Sequence, residues 1–283
     1  MISGAVVDAL CIMPYYRKML GFLIKKTFFD LWDNLFRVAL LNLGFIASLA
    51  IPVFLPGLLL GIPPLSIAVM AIGILWCCVY LAAAAMLLKR ISDYGAFGFG
   101  DFLPCLKETW PIGILMGIFA FAVYLLVTMI IPFYLSIASL FGLLLAAVIF
   151  WTMAVCVVSL QFLFAIRARL DTKLSKVFKK CFIFFFDNPG FCIFSFIHNL
   201  IILVISGFLA FLFPGPAGIL LFLDEALRLR LLKYDWLEEN PPVVAEGAAK
   251  RKRPQIPWDA LLIDERERTG TRTFKSFIFP WKD

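Results

Sequence analysis

Long apolar runs, nearly free of charge and closed by prolines, glycines or clusters of lysine and arginine, divide this chain into segments of membrane length. At ~1.5 Å rise per residue, about twenty residues cross a ~30 Å hydrocarbon core, so the pattern predicts helices through a bilayer. The predicted crossings are 38–60, 64–88, 111–131, 134–166, 191–213 and 214–234. Uncharged turns near Gly61, Pro132 and Gly215 join them in pairs. The expected fold is therefore all-α, a polytopic transmembrane helix bundle of about six spans arranged as three hairpins. Between the second and third crossings, the glycines of GAFGFG and Pro104 argue against one continuous helix, and DFLPCLKETW reads as a short surface helix. The fourth run exceeds the length of one crossing, so it either tilts or gives up its excess to a turn around Ser136 and Ser139.

Charge orients the pattern. Lys and Arg gather in the N-terminal lead-in and around Lys89, Lys179 and Lys233, whereas the opposite turns are neutral. The positive-inside rule then places both termini in the cytoplasm. Residues 14–37 set Arg17, Lys18, Lys25, Lys26 and Arg37 among aromatic side chains. That composition fits an amphipathic helix lying in the headgroup layer with its lysines toward anionic lipid, and equally a simple lead-in to the first span. The segment MISGAVVDALCIMP lacks a basic region before its apolar stretch and makes a poor signal peptide. Three parts follow: an interfacial lead-in (1–37), a six-span membrane domain (38–235) and a cytoplasmic tail (236–283). Pro52, Pro132 and Pro214 recur at a spacing of about eighty residues, as a triplicated hairpin would give, although topology alone imposes the same rhyme.

Composition narrows the class further. The chain is 63% hydrophobic and 16% charged, against roughly 45–50% and ~25% in soluble domains. A net charge of +7 would suit nucleic acid, but the basic residues flank apolar runs and form no basic domain, so the bilayer is the expected partner. The seven cysteines include no CxxC pair, and there is a single histidine. They read as small apolar packers or inert thiols, with no metal site and no cofactor. No Gly-rich phosphate loop, GxSxG or HExxH occurs, so no enzyme is expected.

The last arm holds the candidate chemistry. A helix over 214–234 places Asp224 near the midplane with Glu225 and Arg228 close by, and each ionisable group at a helix centre costs roughly 2.5–3.5 kcal/mol. Asp224 and Arg228 have the i, i+4 spacing of paired side chains. With His198 on the preceding arm, and Gln161 and Asn42 in other spans, they define a candidate intramembrane polar site able to bind a polar ligand or relay a proton. The competing reading is a neutralised ion pair that fixes the last helix in the bundle. Beyond it, 239–257 reads as a flexible linker, and KRKR at 250–253 as a solvated charge run. Trp258, Phe274, Phe277, Ile278, Phe279 and Trp281 crowd apolar surface into the tail, which must dock on the protein's own face, on lipid or on a protein partner.

The run NLFRVALLNLGFIASLAIP, the second span ending LLKRISDYG, and FGDFLPCLKETWPIGILMG resemble the YesL-type bacterial membrane proteins over residues 30–235. The resemblance implies a bacterial inner-membrane protein of about six helices. Two functions are carried forward: a non-enzymatic membrane scaffold or accessory subunit acting through its cytoplasmic tail, and a small permease using the intramembrane polar site.

Overall fold

A computed structural model describes residues 19–240, 256–270 and 272, all helical or in connecting turns. Phe274, Phe277, Ile278, Phe279, Trp281 and the KRKR run lie outside the described residues. The helices are α1 (19–33), α2 (Leu35–Leu58), α3 (Pro63–Ser92), α4 (Phe102–Ser136), α5 (Leu140–Arg169), α6 (Leu174–Asp187), α7 (Pro189–Phe208), α8 (Gly215–Glu239), α9 (Trp258–Leu261) and α10 (Ile263–Thr269). Among the described residues, five of these, α2 to α5 and α7, are long and apolar enough to cross a membrane. Bare apolar side chains such as Phe36, Leu58, Leu140 and Phe208 stud their outer faces, as expected where lipid is the solvent. The chain divides into two compact units, Asn34–Asp224 and the pair Met1–Asp33 with Glu225–Asp283, and the division falls within α8.

In the first unit, small residues let helix backbones approach. Gly113 and Gly117 lie one turn apart on α4, and a β-carbon on either would fall 2.4 or 2.8 Å from the Cα of Val79 or Leu75 on α3. Gly73 of α3 meets Pro52 of α2 in the same way, at 2.8 Å. Lipid supplies no hydrophobic drive for helix pairing, so this close backbone contact is the main attraction available. The ring of Tyr80 fills the space over Gly44, and its hydroxyl donates to Leu41 O at 2.9 Å.

Two sequence expectations change here. DFLPCLKETW is no separate surface helix, because α4 runs unbroken from Phe102. Pro104 falls in its first turn, where a backbone N–H has no helical partner to lose. The turn expected at Pro132 lies instead at 137–139, the alternative in which the fourth run gives up its excess to a turn around Ser136 and Ser139. A π-helical turn over Leu126–Ile130 precedes Pro132 and relieves the ladder where proline cannot donate, so the helix continues to Ser136. Ala138 then takes a positive φ of 48°, and Ser139 Oγ caps α5 by accepting from Gly142 N at 3.1 Å.

The basic connection after α5 is also ordered. Asp171 Oδ1 accepts from Lys173 N at 3.1 Å, a bond that holds its carboxyl below the usual range. From there α6 buries Val177, Cys181 and Phe184 at helical spacing and leaves Lys176 and Lys179 outside. Burial pushes the Cys181 thiol up to about 12. Phe162, Phe184 and Phe191 tie α5, α6 and α7 together, with ring centroids 4.8 to 6.3 Å apart.

The second unit holds α1, the C-terminal part of α8, and α9 with α10. Its buried apolar residues include Met19, Leu23 and Phe29 of α1, Ala226, Leu227 and Leu229 of α8, and Trp258 and Leu262 beyond the linker.

Candidate functional site

The start of α8 is built by a residue far away in sequence. A helix N-terminus leaves its first N–H groups without partners, and inside a bilayer water is not there to supply them. Asn42 meets that need. Its Oδ1 accepts from Ala217 N at 2.9 Å, and its Nδ2 donates to Leu212 O at 3.0 Å and Pro214 O at 2.8 Å. Ser206 Oγ, at the end of α7, accepts from Gly215 N at 3.0 Å. Gly215 has a φ of +61°, and a β-carbon there would lie 2.3 Å from Asn42 Nδ2. The turn before α8 is thus packed beside Asn42, which stands ~10 Å along α2 from its first residue, with ~24 Å of α2 still to run.

That placement moves Asp224 away from the midplane expected of it. Asp224 accepts two bonds from Arg169, one of them at 2.8 Å from Nε. Arg169 also pairs with Asp93 at 2.9 Å and donates to Ser92 Oγ at 2.9 Å. Ser92 and Asp93 close α3 directly after Lys89 and Arg90, so Asp224 sits among the basic helix ends. The i, i+4 pairing of Asp224 with Arg228 does not form; Arg228 bonds Glu265 of α10 at 2.6 Å.

Glu225 and Arg228 belong to the second unit. The Glu225 carboxylate accepts from Lys26 Nζ at 3.2 Å and from the Thr27 hydroxyl, with Lys26 and Glu225 both fully buried. Lys26 also pairs with Asp30 one turn on. The lysine expected to face anionic lipid is therefore turned inward, because a buried carboxylate on α8 requires a cation. Lys25 donates to Gly270 O at 3.3 Å, and burial together with the charge of Arg272 pushes its pKa below the ordinary lysine range. Arg272 forks onto both Asp33 oxygens at 3.0 and 2.9 Å and lies 4.8 Å over the Phe29 ring.

His198 and Gln161 are placed elsewhere. The His198 ring stacks on Phe222 with centroids 3.9 Å apart, and Gln161 Nε2 donates to Cys192 O at 2.9 Å. His198 Nδ1, Gln161 Oε1, Ser195 Oγ and Asn199 Oδ1 are buried with no partner among the described residues. Of the tail residues, Trp258 is described and is buried.

Within the first unit, Asn42, Asp224, His198 and Gln161 make separate contacts and do not meet one another. Asn42 caps a helix, Asp224 closes a charge cluster, Glu225 and Arg228 bind α1 and α10, and His198 and Gln161 line α7. Lys26, Thr27, Ser92, Arg169 and Glu265 complete these contacts; the first four lie in or beside segments whose charge already had a topological explanation, and Glu265 lies in the tail. Asp224 and Glu225, the buried acids of α8, each have a cation within bonding distance, Arg169 and Lys26 respectively. Comparison with protein-family models, curated proteins and solved structures returned no match.

Proposed function

We propose that the chain is a non-enzymatic scaffold or accessory subunit of a bacterial cytoplasmic membrane, with six membrane arms and both termini in the cytoplasm. In this reading α8 is the arm that returns the chain to the side of Lys179, and the tail is held there as a fixed platform. One observation carries it: residues beyond the linker are docked within the protein's own second unit. Trp258 and Leu262 are buried at 2% and 0% exposure, Glu265 binds Arg228, and Arg272 forks onto Asp33. Asp259, Asp264, Arg266 and Glu267 remain exposed, a charged surface suited to a protein partner. The YesL-type resemblance rests on the residues quoted above and agrees with this class.

Affinity capture from gently solubilised membranes tests the reading. Deleting 254–283 should strip the co-purifying proteins while leaving membrane insertion intact, and Asp224→Asn should leave those proteins in place. The unpartnered polar atoms along α7 support a second reading, a small permease. It expects the reverse: transport that survives the deletion and is lost in His198→Ala.

A further inference from the structure

A cavity of about 240 Å³ opens in the first unit between α2, α3 and the chain leading into α4. Its walls are Leu40 and Leu41, Tyr80 and Leu87, and Phe97 with Phe102, with Arg37 as the charged member of the lining. A water takes ~30 Å³ in the liquid, and apolar cavities of ~150 Å³ stay dry and accept hydrocarbon. This space is larger, open on one side and apolar but for Arg37, and its one hydroxyl is already engaged, Tyr80 donating to Leu41 O at 2.9 Å.

Its charge is one-sided. Arg37 donates to Asn34 Oδ1 at 2.8 Å and has no carboxylate partner among the described residues. The nearby acid, Asp101, is already engaged: it accepts from Gly98 N at 2.9 Å and pairs with Arg90 at 2.9 Å. The arrangement also has a direction. The Tyr80 to Leu41 bond fixes one level, Arg37 stands ~6 Å from it toward the start of α2, and Leu87 ~10 Å from it toward the basic end of α3. Arg37 thus stands at a level between Tyr80 and Leu87, a cation set in the side of an apolar wall that continues toward the helix termini.

We propose that this cavity is a binding site for a phospholipid of the cytoplasmic leaflet, with the phosphate on the Arg37 guanidinium and one acyl chain between Leu41, Tyr80 and Leu87. A guanidinium matches phosphate oxygens with two parallel donors. A neutral amphiphile leaves that cation unpaired beside apolar surface, so selection falls on the phosphate. The lining belongs to the first unit alone, and the leaflet named rests on the orientation proposed above.

The test is photolabelling of the full-length, delipidated protein in maltoside micelles with phosphatidylglycerol carrying a diazirine in one acyl chain. Adducts are expected on peptides holding Tyr80, Leu87 and Phe102. Arg37→Gln should reduce them about tenfold, equivalent to ~1.4 kcal/mol, and Leu40→Trp, which fills the rim, should remove them. A diazirine diacylglycerol, lacking the phosphate, should label these peptides no more than Arg37→Gln allows. Thermal melts matching wild type establish that both variants are folded. Adducts confined to outward residues such as Leu43 and Ile72 would overturn the proposal, as would equal labelling by the two probes or in Arg37→Gln.

Discussion

Lys26→Met is expected to destabilise the protein by about 3–5 kcal/mol, the range found when one partner of a buried ion pair is removed and the other stays charged and enclosed. Lys26 and Glu225 have no exposed side-chain surface, and Thr27 adds a second donor to the same carboxylate. Taking two charges out of water is costly, and only their mutual attraction and added hydrogen bonds repay it. The double variant Lys26→Met with Glu225→Leu should therefore recover most of the loss, because no uncompensated charge then remains. Unfolding of the purified protein in mixed micelles, followed by far-ultraviolet circular dichroism, reads both effects. A single variant within 0.5 kcal/mol of wild type would mean that the pair does not hold α1 to α8.

Asn42→Leu ranks second in expected size. It withdraws one acceptor and two donors from the turn into α8, leaving Ala217 N, Leu212 O and Pro214 O without their partner. An unsatisfied buried polar group costs roughly 1–3 kcal/mol, so a loss of about 3 kcal/mol or more follows even after partial relaxation. Asn42→Asp is a sharper probe. It keeps an acceptor for Ala217 N but turns a carboxylate oxygen toward two carbonyls, so it should be no better tolerated. Hydrogen exchange localises the damage: amides 215–218 should lose protection in both variants while those of α3 keep theirs. Unchanged protection at 215–218 would show that the turn is held without Asn42.

How far these contacts were legible in sequence depends on their physical range. Apolar runs report directly on burial in lipid, so α2, α3, α4, α5 and α7 follow from hydropathy, with ends shifted by up to nine residues, at the start of α4. Local chemistry was less transparent. Pro132 has the look of a turn, yet a π-helical turn ahead of it removes the need for its missing N–H. The glycine, proline and charge before the third span break a soluble helix pattern, but Pro104 in a first turn breaks nothing. Gly113 and Gly117 show the spacing of a close helix contact in plain sight; their partner on α3 does not follow from spacing alone.

Charge was the hardest to apportion. A lysine at a membrane boundary satisfies the orientation rule wherever its side chain points, so nothing in the sequence separates Lys176, which faces outward, from Lys26, which is buried against Glu225. Arg169 is a similar case, bound to Asp224 and Asp93 across distant parts of the chain. A count from Pro214, as though the arm begins at the outer surface, puts Asp224 near the midplane. It begins instead beside Asn42, partway along α2, and a count of residues has no access to that starting level.

We propose that α8 carries the chain back to the face from which α1 leads in, where the tail docks on α1. The most direct measurement places single cysteines at positions 33 and 272 and labels each with a membrane-impermeant maleimide in spheroplasts and in inverted vesicles. A short bismaleimide is then applied to the double variant. The account predicts labelling of both positions from the cytoplasmic side alone and an intramolecular cross-link between them, as the Arg272 to Asp33 contact at 2.9 Å requires. Labelling of the two positions from opposite sides, with no cross-link, would contradict it.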